Sequence, residues 1–157
     1  MNKKKKSDLK FGDECEKIFL SKFKNIKKRS NNKMDEIDFI NKKNNKKLYE
    51  LKGRQYNFTD QKDWMVGMNK LIHHQKNNID GSFIVYMLFY DGLYYWKYND
   101  KDVLKKYCSW ETRNDRGKLE KHYYFNIKRE LFKKSKHNIY APKNMELIQN
   151  IDECLIK

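Results

Sequence analysis

Ile37-Asp38-Phe39-Ile40-Asn41-Lys42-Lys43-Asn44-Asn45-Lys46-Lys47-Leu48-Tyr49-Glu50-Leu51-Lys52-Gly53 is the stretch that decides the fold. Apolar and charged side chains alternate over residues 35–40 and again over 47–52, the period of a half-buried strand. The Asn- and Lys-rich residues 41–45 between them carry turn chemistry, and Gly53 ends the second run. An antiparallel hairpin is therefore expected. Glu50 and Lys52 should project from one face of the second strand, with Tyr49 and Leu51 on the other. On the first strand, Ile37 and Phe39 are expected on one face and Glu36 and Asp38 on the opposite one. Folding symmetrically about Asn44 sets Asp38 across from Glu50 and Ile40 across from Leu48. Such partners have Cβ atoms about 4.5–5.5 Å apart. A register slip of one residue would send one carboxylate to the far face.

Two carboxylates that close repel each other unless a cation lies between them. Hard oxygen ligands on a rigid hairpin suit Mg²⁺ or Mn²⁺. The expected ligands are Asp38, Glu50 and the backbone carbonyl of Leu51. An ion held there would activate water and offset the charge that builds on a phosphodiester during hydrolysis. Lys52 adds a point charge at the same place and would stabilise that charge directly. The acidic-x-Lys pattern alone is unspecific, since it also occurs at Asp8-Leu9-Lys10 and Asp60-Gln61-Lys62. Only the copy at Glu50 lies in a strand that follows another carboxylate-bearing strand.

These residues, Ile37-Asp38-Phe39 followed by Tyr49-Glu50-Leu51-Lys52-Gly53, resemble the core of the PD-(D/E)xK nuclease superfamily. They are similar in particular to small stand-alone members from phages and large DNA viruses. The resemblance covers roughly residues 11–98. It implies a restriction-endonuclease-like α/β core in which a mixed central sheet is flanked by helices. It also implies Mg²⁺-dependent hydrolysis of DNA, with Asp38 and Glu50 as metal ligands and Lys52 as the catalytic lysine. Ile37 stands where the name-giving proline would be, a proline that many members lack. Two accessory residues follow from the resemblance. Glu16 on the leading helix would face the metal site, with Glu14 the weaker choice. Gln75 on the second helix would reach a phosphate or a metal-bound water. For both, an ordinary solvent-facing or boundary position is the competing reading.

Outward from the hairpin, residues 8–25 read as an amphipathic helix, with Phe11, Cys15, Ile18, Phe19 and Phe23 at helical spacing. Residues 24–30 are ambiguous, with an edge strand guarded by lysines as one reading. A second helix is expected over 61–76, started by Asp60 and Asp63 in a capping-box arrangement. Its stripe would be Trp64, Met65, Met68, Leu71 and Ile72. Residues 83–90 form an apolar run that suits a buried central strand. Asp91-Gly92 gives a hairpin signal before a returning strand over 93–98. Beyond it, a short helix is expected over 102–108, a polar loop over 109–119, strands over 122–127 and 138–141, and a final helix after Pro142. The tyrosines of Tyr94-Tyr95-Trp96 and Tyr123-Tyr124-Phe125 could stack on bases, though core packing is the simpler reading.

The 157-residue chain fits one domain over residues 8–157, preceded by a basic arm at 1–7. Its net charge of +15 points to a polyanionic partner, DNA first, unless Lys/Asn-rich coding bias explains it. Cys15, Cys108 and Cys154 have neither disulfide nor zinc spacing, which fits a reducing intracellular compartment of the cytoplasm or nucleus. No apolar run approaches a membrane span, and no secretory signal is evident. His73 and His74 are adjacent on a helix and diverge, so zinc and His-metal nucleases are disfavoured. Phosphate-binding loops and serine-hydrolase elbows are absent. One active site on a chain this small cuts one strand, so a double-strand break would require a homodimer or two encounters. A non-catalytic basic DNA-binding protein and an inactive nuclease-fold subunit are the alternatives.

Overall fold

The computed structural model describes residues 3–29, 37–102, 104–113 and 119–145. Helix α1 (Lys3–Lys22) is followed by strands β1 (Ile26–Lys28), β2 (Phe39–Asn41) and β3 (Lys47–Gly53). A 3-10 turn at Phe58–Asp60 leads to β4 (Asp63–Gly67), α2 (Met68–Asn77), β5 (Ser82–Phe89) and β6 (Gly92–Lys97). The chain continues through β7 (Leu104–Arg113), β8 (Leu119–Lys128) and the short β9 (Lys133–Lys134).

The hairpin forms because its turn closes itself. Asn41 Oδ1 accepts from the backbone N–H of Lys43 (2.9 Å) and Asn44 (3.1 Å), and Asn44 Oδ1 accepts from that of Lys46 (3.0 Å). These side chains stand in for a backbone turn, which is why Asn is favoured there. The register follows, with Phe39 opposite Tyr49 and Ile40 opposite Leu48. β3 then pairs parallel with β5 along its whole length, from Lys47 beside Ser82 to Gly53 beside Leu88. The resulting six-stranded sheet has the order β1-β2-β3-β5-β6-β9, and every pair except β3/β5 is antiparallel. Asp91-Gly92 makes the turn before β6, with Gly92 at φ 149°, a value only glycine adopts readily. This is a mixed α/β fold with a mostly antiparallel sheet flanked by helices.

Each sheet face carries its own core. Phe11, Cys15 and Phe19, one turn apart on α1, pack with Ile26, Phe39, Tyr49, Leu88 and Leu93 on one face. Leu48, Phe83, Val85, Met87 and Phe89 on the other face meet Leu71 of α2, Trp64 and Val66 of β4, and Ile127 of β8. Ile37 also enters this second core, while Phe39 enters the first. The two were expected on one face. The chain bends at Ile37, before β2 begins, so strand alternation does not extend back to it.

Several elements differ from the sequence reading. α1 starts at Lys3, taking in residues set apart as an arm, and ends at Lys22 rather than residue 25. The ambiguous 24–30 stretch contains the edge strand β1. The expected 61–76 helix is half strand: Trp64 and Val66 are buried and Met65 is exposed, the alternation of β4 against β8. Asp63 therefore sits in a strand, and Asp60 instead accepts from the Asn57 N–H (2.9 Å) in the preceding 3-10 turn. Residues 104–108 and 109–113, expected as helix and loop, form β7, whose ladder with β8 supplies the pairing. β4, β8 and β7 make a three-stranded second sheet that the sequence did not suggest. Residues 138–141 form no strand, although Ile139 and Ala141 are buried and the Ala141 N–H donates to the Phe89 carbonyl (2.8 Å). Glu36, residues 114–118, and the final helix beyond Met145 lie outside the described residues.

Candidate active site on the β2–β3 hairpin

β3 alternates as its sequence dictates: Tyr49 and Leu51 join the α1-side core, and Glu50 and Lys52 lie on the face covered by α2. The β2/β3 register runs from Ile40 opposite Leu48 to Phe39 opposite Tyr49, and Asp38 is the residue just before it. The Asp38 charge acts on both Glu50 and Lys52. Glu50 and Lys52 thus share one face of β3 with Leu51 between them in the strand, and Asp38, just before β2, is near enough for its charge to reach both.

Glu50 is 4% exposed. A carboxylate this deep needs a counter-charge, and α2 provides one. Lys70 Nζ lies 2.8 Å from Glu50 Oε1, and the two side chains are 16% and 5% exposed. Lys70 was not singled out from the sequence; nothing local marks a lysine on a helix as buried. Glu50 Oε2 is also buried, and it has no hydrogen-bond partner among the described residues. Burial raises the Glu50 pKa, opposed first by Lys70 and reinforced by Asp38. Burial likewise lowers that of Lys52, against the attraction of Glu50 and with help from Arg54 and Lys70.

The accessory residues do not join this group. Glu16 forms an ion pair with Lys28 (2.9 Å), and it rides on α1, which packs on the opposite sheet face. The link to the site is indirect: Lys28, its pKa raised chiefly by its bond to Glu16, also feels Asp38. Glu14 pairs with Lys17 (3.3 Å). Gln75 donates to Tyr98 Oη (2.6 Å) and reaches Asp100 Oδ1 (3.5 Å), at the end of β6. Its Tyr98 partner follows the strand pair Ile84–Lys97, so Gln75 is held beside the beginning of β5 rather than at Lys52. The histidines diverge: His73 Nε2 meets Arg29 Nη1 (3.1 Å), and His74 is buried beside Phe83 and Tyr98. Tyr94 and Trp96 pack inward, Tyr94 on Phe58 and Trp96 with its Nε1 donating to Asp102 (2.8 Å).

The residues partly fit a divalent ion. Among the described residues no three His, Cys, Asp or Glu side chains gather to hold a metal by themselves. A cation would rest on Asp38, the bare Oε2 of Glu50 and a backbone carbonyl, with further positions left for water or substrate oxygens. That unpartnered buried oxygen is the feature that suits it.

Lys52 opens onto two adjoining clefts. One, of ≈ 520 Å³, runs between Asp8–Gly12 of α1 and residues 51–56. The other, of ≈ 540 Å³, runs from Arg54 and Tyr56 past Asp63 and Met65 of β4 to Tyr124 and Asn126 of β8. No helix among the described residues is long and apolar enough to cross a membrane. Neither a protein-family model, nor a curated protein, nor a solved structure matches the chain.

Proposed function

We propose that the chain is a metal-dependent nuclease of the PD-(D/E)xK type, built on a restriction-endonuclease-like core. The observation that carries this reading is the buried Glu50, with one oxygen unpartnered among the described residues, on the strand it shares with Lys52 and within reach of the Asp38 charge. Asp38, Glu50 and the Leu51 carbonyl would hold Mg²⁺ or Mn²⁺. When bound, that ion supplies activation of water and charge neutralisation at a phosphodiester. Lys52 lies where the scissile phosphate would approach from the clefts, and its ammonium would stabilise the negative charge that grows on the phosphorus oxygens. Burial of Glu50 strengthens that electrostatic effect by excluding water around its carboxylate. A single site of this kind nicks one DNA strand.

A second reading rests on Lys70. An ammonium 2.8 Å from Glu50 already neutralises the carboxylate without a metal, as it would in a DNA-binding protein that does not cut. Supercoiled plasmid incubated with Mg²⁺ or Mn²⁺ separates the two. The nuclease reading expects nicking by the wild type and none by Lys52→Ala or Glu50→Ala. Salt-dependent binding without nicking, identical in all three proteins, would establish the binding-protein reading instead.

A further inference from the structure

We infer that the cleft between β3 and the second sheet is the track of a single DNA strand, with Arg54 as its phosphate contact and Tyr124 as its base contact. The inference rests on the nuclease reading and adds the form of the substrate to it.

The two walls of this cleft differ in chemistry. On the β3 side stand Lys52 and Arg54. Arg54 is half-buried and uses Nη1 on the Gly53 carbonyl (2.8 Å), and a guanidinium has five donors. On the other side Met65, 38% exposed, and the half-buried Tyr124 present apolar and aromatic surface. Asp63 stands on that same wall, fully on the solvent side of β4. Its carboxylate repels phosphates there and leaves the wall to uncharged groups.

A cationic wall facing an aromatic one matches an unpaired strand, whose backbone lies along one side with its bases turned to the other. A duplex does not match, because its bases are stacked away and both flanks present phosphate, one of them toward Asp63. Asn126, also in the cleft wall, has a buried Oδ1 without a hydrogen-bond partner among the described residues. The strand's path ends at Lys52, which the cleft shares with the adjoining one beside α1. Cleavage position and strand path therefore coincide.

Fluorescence anisotropy in EDTA tests this with a labelled 12-nucleotide single strand, its RNA counterpart and a blunt duplex of the same sequence. The single strands should bind at least about tenfold tighter than the duplex, a ratio on the scale of one stacked base. Tyr124→Leu and the exposed-site variant Met65→Glu should each weaken single-strand binding by about tenfold and leave duplex binding unchanged. Arg54→Gln should weaken it and flatten its salt dependence, while Lys134→Gln, the same charge change on exposed β9, should do neither. Equal or tighter duplex binding overturns the inference. So does unchanged single-strand binding in Tyr124→Leu and Met65→Glu, both checked for native circular dichroism. Incubation of the plasmid and of the 12-nucleotide single strand with Mn²⁺ reads the nuclease proposal separately: a preference for single strands with neither substrate cut defeats that proposal alone, and nicking with duplex preference defeats this one alone.

Discussion

Replacing Lys70 by Met removes the one cation within hydrogen-bond range of Glu50 among the described residues, while keeping most of the side-chain volume. Glu50 remains buried, now with both oxygens lacking a partner. Breaking a buried ion pair from one side typically destabilises by about 3–5 kcal/mol, because an uncompensated charge stays behind. Lys52 offsets part of this, so the lower end, about 3 kcal/mol, is expected. At about 2–4 °C per kcal/mol for a domain of this size, the melting temperature should fall by roughly 6–12 °C. The loss has a defined pH dependence. The folded Glu50 already has a raised pKa, so between the unfolded value of 4.5 and the folded one the native state binds the extra proton. Stability from this group therefore falls as pH rises through that window, and recovers as pH drops toward 4.5. Removing Lys70, which opposes the shift, moves the window upward. Urea unfolding at pH 5 and pH 8 should show a larger deficit for Lys70→Met at pH 8. The double variant Lys70→Met/Glu50→Gln should recover most of it. A deficit below about 1 kcal/mol at pH 8, or no recovery in the double variant, would refute the buried-pair argument.

Gly53→Ala places a Cβ 2.5 Å from Cys15 Sγ and 2.9 Å from the Phe11 ring, both buried against the sheet. It should cost about 1–3 kcal/mol in urea unfolding, with the strain relieved in part by Cys15→Gly. Asn78→Ala removes a buried amide that donates to the Lys46 carbonyl (2.9 Å) and the Ser82 carbonyl (3.2 Å), where the crossover from α2 enters β5. Chemical denaturation should register a loss of about 1–3 kcal/mol. Burial first, then Glu14, pushes the Cys15 thiol up to about 12. In a Cys108→Ser/Cys154→Ser background a disulfide reagent at pH 8 should leave native protein unlabelled, and label it at once in guanidinium.

The hairpin was legible because its information is local. Asn41 and Asn44 close the turn with their own side chains, and that closure fixes the register that sets Phe39 against Tyr49 and Ile40 against Leu48. β5 and its Asp91-Gly92 turn were legible for the same reason. β4 was not. Trp64, Met65, Met68, Leu71 and Ile72 satisfy a helical period, and the strand that claims Trp64 and Val66 is β8, some sixty residues later in the chain. β7 was likewise read as helix and loop because its pairing with β8 has no local trace. At the site, Glu50 and Lys52 followed from strand alternation, whereas Lys70 did not. Its burial exists only because α2, displaced C-terminally by β4, crosses the hairpin face. Gln75 is held at Tyr98 by its hydrogen bond, and the ion pair with Lys28 holds Glu16 beside β1.

The central claim is that Asp38 and Glu50 share one divalent ion beside Lys52. Crystals grown with Mn²⁺ and measured at the manganese absorption edge address it directly. The account predicts one anomalous peak within about 2.0–2.6 Å of a carboxylate oxygen from each of Asp38 and Glu50, lost in Glu50→Ala. Manganese bound elsewhere, with Glu50 still paired to Lys70 and Asp38 bare, would contradict it.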